Sequence, residues 1–270
     1  MSNEIACTTG GYPGMDLSRV FEGLSKAGFR YVELTALPES QARIAPEHMT
    51  PEDVQALRRL MATCELTPIS LSGHCDLSTF EGVELFKARI DLASELGIRI
   101  INTVTTFSES PKAVEVERFF TNMWGIIPYA RERGVRIALE THGGLTATTD
   151  ECLRTLERLG SDWVGINYDT ANVIFFQGVR PEEDIVQIAP YVIHVHLKDS
   201  LGQEGVDDYP PLGQGNIDFK RIISVLDAAG YTGPYSAEIE FMDVYVFEPQ
   251  EEDLVMRHTF QFMSKLLAGR

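Results

Sequence analysis

A chain of 270 residues with a formal net charge of −17 lacks the basic footprint that nucleic acid or an anionic membrane requires, so neither is an expected partner. Its hydrophobic content of 44% suits a globular protein with a full core, and no apolar run approaches the roughly 18 residues of a membrane span. Four scattered cysteines (Cys7, Cys64, Cys75 and Cys152) have no metal-ribbon spacing, and the N-terminus MSNEIACTTGG has no export-signal pattern. Together these predict a cytoplasmic protein with reduced thiols.

In chain order, β-rich segments at 4–8, 31–35, 68–72, 99–103, 136–140, 164–168, 192–197 and 235–240 alternate with segments of helical periodicity. In VELFKARIDLASELG, for example, Leu85, Ala88, Leu92 and Leu96 recur at three- and four-residue steps and are expected to face inward. Four junctions (KAGFRYVEL, ELGIRIINT, ERGVRIALE and AAGYTGPYS) place a glycine between a helix end and the next strand, the position that favours a left-handed residue. Eight strands, each followed by a helix at a repeat of about 34 residues, predict one α/β domain over residues 1–270, a (β/α)8 TIM barrel. The rival, a doubly wound open sheet, would carry GxGxxG after its first strand, where this chain has TTGGYPG. The single sizeable loop, SLGQEGVDDYPPLGQGNIDF, follows strand seven.

Active sites of such barrels lie at the C-terminal mouth, so the polar groups ending each strand are the candidates. Strand two carries Glu33, and strand three runs into His74. Strand five supplies Glu140 and His142, and strand six Asp169 and Asn172. In YVIHVHLKDS the alternation of strand faces puts His194, His196 and Lys198 on one side and Val195 and Leu197 on the other. Strand eight supplies Glu238 and Glu240. Carboxylates ending strands five, six and eight, with a histidine on strand seven, would repel one another in a low-dielectric centre unless a divalent cation relieved them. Such an oxygen-rich set suits Mn²⁺, Mg²⁺ or Co²⁺, with Zn²⁺ also admissible.

The pieces ALETHGG, NYDTAN, HVHLKDS, PLGQGNIDF and GYTGPYSAEIE, in this order, resemble the xylose-isomerase-like barrel superfamily (AP endonuclease family 2 type). That superfamily holds sugar isomerases and epimerases, inosose dehydratases and endonuclease IV, and the resemblance covers essentially the whole chain. It implies one divalent metal ion, Mn²⁺ foremost, on Glu140, Asp169, His196 and Glu238. His196 is the ligand because it opens the HLKD piece, and Glu238 because it follows GPYSA. The implied activity is that of a sugar isomerase or epimerase working through a metal-stabilised cis-enediolate on a small keto sugar or polyol derivative. As in the ketose 3-epimerases, Glu140 and Glu238 would serve as both ligands and acid/base groups. His142, Lys198, His74, Asn172 and Glu33 are the candidate substrate contacts.

Several readings stay open at this level. His194 is a buried structural group or a support for the ligands, His74 a substrate contact or a turn cap, and Lys198 a site residue or a salt-bridged rim lysine. Glu240 reads as solvated rim. A dehydratase of the inosose or 3-dehydroshikimate type is the runner-up activity, followed by a non-catalytic sugar-binding barrel. Endonuclease IV carries D-x-x-H on strand six, where this chain has Asp169-Thr-Ala-Asn172, and an AP endonuclease is disfavoured. The segment LGQGN at 212–216 is a candidate anion nest. Only Arg43, Lys112 and Arg180 stand out as basic residues of the βα loops, which favours a neutral sugar. Metal-dependent epimerases of this type form dimers or tetramers, and a homo-oligomer is expected.

Overall fold

A computed structural model of the chain describes residues 3–36, 44–240 and 251–268. Eight strands form a closed parallel barrel in sequential order: β1 (Ile5–Thr8), β2 (Tyr31–Thr35), β3 (Thr67–Ser72), β4 (Ile100–Thr103), β5 (Arg136–Glu140), β6 (Val164–Asp169), β7 (Val192–Leu197) and β8 (Tyr235–Ala237). Helices α1 (Leu17–Ala27), α2 (Pro51–Thr63), α3 (Phe80–Leu96), α4 (Ala113–Glu132), α5 (Thr149–Leu159), α6 (Asn172–Gln177), α7 (Pro181–Ile188), α8 (Phe219–Ala228) and α9 (Glu251–Ala268) connect and surround them. The (β/α)8 expectation holds, and the strand bounds differ from those expected by a residue or two, except that β8 ends before Glu238. Among the described residues no helix is long and apolar enough to cross a membrane, and all four cysteines are free thiols. Arg43 lies outside the described residues.

Local chemistry explains the element ends. Thr50 and Asp53 form a reciprocal capping box on α2, and Thr148 and Glu151 repeat it on α5, satisfying N–H groups that a helix start leaves unpaired. The four glycines singled out at helix-to-strand junctions, Gly28, Gly97, Gly134 and Gly230, all have positive φ, so one backbone solution recurs around the barrel. Helix α9 closes the ring against α1, where Phe29 and Phe260 meet edge to face at 5.2 Å and Tyr12 donates to Asp253 at 2.9 Å.

Helix α3 corrects one expectation. Its core face is formed by Phe86, Arg89, Ile90, Leu92 and Ala93, whereas Leu85, Ala88 and Leu96 are only partly buried. Two apolar stripes overlap in this sequence, and the one with the bulkier Phe86 and Ile90 turns inward. It can do so because Arg89, 1% exposed, donates to the His74 carbonyl at 2.7 Å and to the Cys75 sulfur. Periodicity alone counts an arginine as an outer residue.

Two irregularities set the barrel register. Between β2 and β3, Val32 pairs with Pro68 but Glu33 with Ser70, leaving Ile69 as an extra residue. Between β6 and β7, Ile166 pairs with Val192 but Asn167 with His194, leaving Ile193 extra. Strand faces alternate with period two, so a one-residue slip exchanges the inner and outer sets. The extra Ile193 brings His194 level with Asn167 and His196 level with Asp169. Gly165 and Gly233 make room for it: a Cβ on Gly165 would stand 2.7 Å from Ile193 Cγ2 and 2.9 Å from the Tyr191 carbonyl oxygen, and one on Gly233 would strike the Ile193 carbonyl oxygen. Gly165→Ala should therefore lower stability by about 1–3 kcal/mol, the usual cost of overpacking. Urea unfolding measures this, and an unchanged midpoint would show that the bulge yields without cost.

Candidate metal and sugar site

The C-terminal mouth gathers side chains from strands that are distant in sequence. Glu140 and Asp169 are the last residues of β5 and β6, His196 lies on β7, and Glu238 directly follows β8. One ligating atom from each of the four lies within 4.8 Å of every other. His196 Nδ1 stands at the centre, 3.5 Å from Glu140 Oε2, 3.5 Å from Glu238 Oε2 and 3.8 Å from Asp169 Oδ2.

Each carboxylate is aimed by its neighbours. Asp169 Oδ1 accepts the backbone N–H groups of Ala171 at 2.9 Å and Asn172 at 2.8 Å, which leaves Oδ2 turned toward the cluster. That oxygen is buried and has no hydrogen-bond partner; beside other carboxylates only a proton or a cation can pair with it. Glu140 accepts from Asn172 at 3.0 Å through Oε1, and from Asn167 at 2.9 Å through Oε2. His74 Nε2 is 3.1 Å from the same Oε2. An orphaned buried carboxylate oxygen among two further carboxylates and an imidazole fits a divalent cation of hard or borderline character. The residues are thus disposed to hold one ion.

The charges are strongly coupled. Burial pushes the Asp169 carboxyl well above its ordinary range; Lys198 opposes the rise, and Glu238 and Glu140 reinforce it. Burial acts the same way on Glu238 but is outweighed by Lys198 and His196, which hold it well below the usual carboxylate range. Glu140 is likewise lowered, against its burial, by His74 and His196. For Lys198 burial disfavours the cation, yet Glu238 and Glu240 keep its pKa raised. His142, with less help from neighbours, is lowered by burial.

A cavity of about 540 Å³ opens above the cluster. Of the sequence candidates, His74, His142, Asn172 and Lys198 line it together with Glu140 and Glu238. Lys198 is 4% exposed, its Nζ 3.3 Å from Glu238 and 3.0 Å from the exposed Glu240, and 4.4 Å above the Tyr209 ring. His142 packs against Phe176 at 4.5 Å between ring centroids. Glu33 differs from its expected position: it is fully buried below His196 and does not line the cavity. It lies deeper because its place in the middle of β2, rather than at its end, sets its height in the barrel. His194 is equally buried.

Sequence reasoning missed Asn167, Ser70 and Asn102, all buried inside the barrel, and the lining residues Phe175, Phe176, Tyr209, Glu109 and Asp207. Strand parity with Asp169 would have found Asn167. The LGQGN segment is corrected: its N–H groups are already taken, because Asp199 Oδ2 accepts from Gly213 at 2.8 Å and from Gly215 at 2.9 Å. The glycines are needed there, since a Cβ on Gly215 would collide with the Asp199 carboxylate.

A family model described as a xylose isomerase-like TIM barrel matches residues 21–266. The inosose dehydratase of Geobacillus thermodenitrificans is 28% identical over 242 residues, 77% of this chain and 80% of that protein. The L-ribulose-5-phosphate 3-epimerase UlaE of Salmonella typhimurium is 25% identical over 225 residues, 78% of each. A xylose isomerase-like TIM barrel protein from Mycobacterium smegmatis, solved in complex with magnesium, superposes with a TM-score of 0.81 at 18% identity and covers 99% of this chain and 97% of its own; that likeness is one of fold.

Asp169→Asn should keep the Oδ1 contacts and replace the unpartnered oxygen with an amide that can donate to Glu238. The metal-free protein should gain on the order of 1 kcal/mol at neutral pH, because burial and the neighbouring carboxylates disfavour the aspartate's charge, and asparagine fills the position with neither a buried charge nor the uptake of a proton. Urea denaturation in the presence of a chelator reads this, and a loss of stability would contradict the electrostatic account.

Proposed function

The chain belongs to the xylose isomerase-like TIM barrel family, and on that premise we propose that it is a divalent-metal-dependent sugar isomerase or epimerase. The supporting observation is the pairing of two cavity-lining glutamates, Glu140 and Glu238, around one point that Asp169 and His196 also face. These four residues would hold the ion, with Mn²⁺ the first candidate and Mg²⁺, Co²⁺ and Zn²⁺ the others. When bound, it supplies Lewis acidity to the carbonyl and hydroxyl oxygens of a keto sugar or polyol derivative, acidifying the adjacent C–H.

Glu140 is kept ionised chiefly by His74, and Glu238 by Lys198, so both are in the form a general base requires. One of them removes the C–H proton, and the same group or its partner returns it to the neighbouring carbon or to the other face. Asn172, bonded to Glu140 Oε1, steadies that carboxylate. Lys198 and His142, on the cavity wall, polarise substrate oxygens. Phe175, Phe176 and Tyr209 exclude water from one side and offer ring faces to C–H bonds. A dehydratase is the second reading, favoured by the similarity to an inosose dehydratase. The same proton abstraction would then be followed by loss of a β-hydroxyl, with the Lys198 ammonium placed to assist its departure.

The substrate proposed is neutral. Glu109, Asp207 and Glu240 stand at the cavity against Lys198, the one lysine or arginine among the described lining residues, and the glycine loop that could have received a phosphate is filled by Asp199.

Metal-loaded protein incubated in deuterated water with a panel of keto sugars and inososes should incorporate deuterium at carbon in one of them. Glu140→Gln and Glu238→Gln should each reduce that exchange by about 10²–10⁴-fold; near wild-type exchange in both would refute the assignment. Product mass separates isomerisation from loss of water. For the substrate found, kcat/KM should exceed that of its phosphate ester, whose rate should rise with ionic strength as salt screens the acidic mouth. A preference for the ester would overturn the neutral-substrate reading.

A further inference from the structure

We infer that Glu33 and Asn167 are positioning residues that set the tautomer of His196, keeping the ring proton on Nε2 and presenting the Nδ1 lone pair to Glu140, Asp169 and Glu238. The inference rests on reading those groups as a metal site. It begins with a side-chain amide whose orientation is forced. Asn167 lies 2.9 Å from Glu140 Oε2 on one side and 2.8 Å from His194 Nδ1 on the other. A carboxylate only accepts, so the amide nitrogen faces Glu140 and the amide oxygen faces His194. His194 therefore carries a proton on Nδ1; its Nε2 lies 3.0 Å from the Ser70 hydroxyl and 3.3 Å from Glu33 Oε2.

The same amide nitrogen stands 3.2 Å from His196 Nδ1. The amide N–H cannot accept a proton from Nδ1, and the carboxylate oxygens of Glu140 and Glu238 that could do so lie farther off, at 3.5 Å, so in the neutral ring the lone pair belongs on Nδ1. The ring proton then sits on Nε2, where Glu33 Oε1 accepts it at 3.0 Å. That oxygen is itself fixed by Asn102, which donates to it at 2.6 Å. Glu33, His194 and His196 also lie within coordinating reach of one another, but hydrogen bonds already account for the ring nitrogens they would offer. Both extra residues in the barrel, Ile69 and Ile193, fall where they bring Ser70 level with Glu33 and His194 level with Asn167. All of these polar side chains are fully buried, so no water competes for the proton.

A neutral imidazole ligates through its unprotonated nitrogen, and the hydrogen bond at the other nitrogen decides which one that is. Losing such a partner typically weakens metal binding 10–100-fold. The test titrates Mn²⁺ into wild type, Glu33→Gln, Glu33→Leu and Asn167→Asp, following free Mn²⁺ by electron paramagnetic resonance. Thermal melts of the metal-free variants verify that each is folded. Glutamine keeps the acceptor to His196, and its affinity should fall by less than about tenfold; leucine loses the acceptor and should fall by about 10–100-fold. Asn167→Asp puts an acceptor beside Nδ1 and should fall similarly. In parallel, ¹⁵N resonances of imidazole-labelled, metal-free wild type, recorded where the ring is neutral, should place the proton on Nε2 of His196.

Unchanged affinity in both Glu33→Leu and Asn167→Asp, or an equal loss in Glu33→Gln and Glu33→Leu, would overturn the inference, the latter by assigning the effect to charge. A proton found on Nδ1 would overturn it independently, even if one variant fails to fold. Wild type that binds no Mn²⁺ would instead remove the metal reading, leaving the tautomer to be decided by the nitrogen resonances.

Discussion

Three carboxylates aimed at one imidazole nitrogen are the constraint around which the mouth of this barrel is organised. Like charges at such separations repel by about 3–4 kcal/mol per pair, even at an effective dielectric near 20. Every neighbouring group acts against that repulsion. Backbone N–H groups hold Asp169, two asparagines donate to Glu140, and the cation of Lys198 lies beside Glu238. His74 approaches Glu140 from the cavity side. Even so, one oxygen of Asp169 is left without a partner, and that residual imbalance is what a divalent ion would remove.

The barrel can present this set because parallel strands end at the same height and alternate their faces. Alternation alone would not suffice, since two strands enter the ring out of step with their neighbours. The extra Ile69 and Ile193 correct the step locally, as bulges do where a side chain has to be re-aimed. Gly165 and Gly233 are part of the same solution, because their missing Cβ atoms admit the displaced isoleucine. Gly233, in GYTGPYSAEIE, thus helps to set the height of His196 through its close approach to the Ile193 backbone on β7.

Much of the fold and of the candidate site was legible in the sequence. Strand runs, the recurrent glycine at helix ends and the carboxylates at three strand ends are local patterns, and local patterns survive in one dimension. What escaped depends on depth or on distant partners. Nothing in YVELT states whether Glu33 stands at the mouth or under it; its height in the ring decides. Asn167 sits inside a strand read for its apolar residues, and its importance comes from contacts on β5 and β7. In α3 the buried Arg89 was unreadable because its acceptors, the His74 carbonyl and the Cys75 sulfur, belong to a preceding loop. The aromatic wall had no signal in spacing, since Phe175, Phe176 and Tyr209 come from two separate connections.

The Asp199 carboxylate that closes the long connection after β7 has an effect on binding as well as on folding. A tethered anion meets its N–H donors at an effective concentration that a free ligand in solution rarely reaches. The loop carrying Tyr209, which stands beneath Lys198 at the cavity, is consequently tied at its base by the protein's own contacts before any ligand arrives. The entropy lost in ordering it belongs to folding and not to association, so binding energy is free to discriminate among substrates by the shape of the cavity.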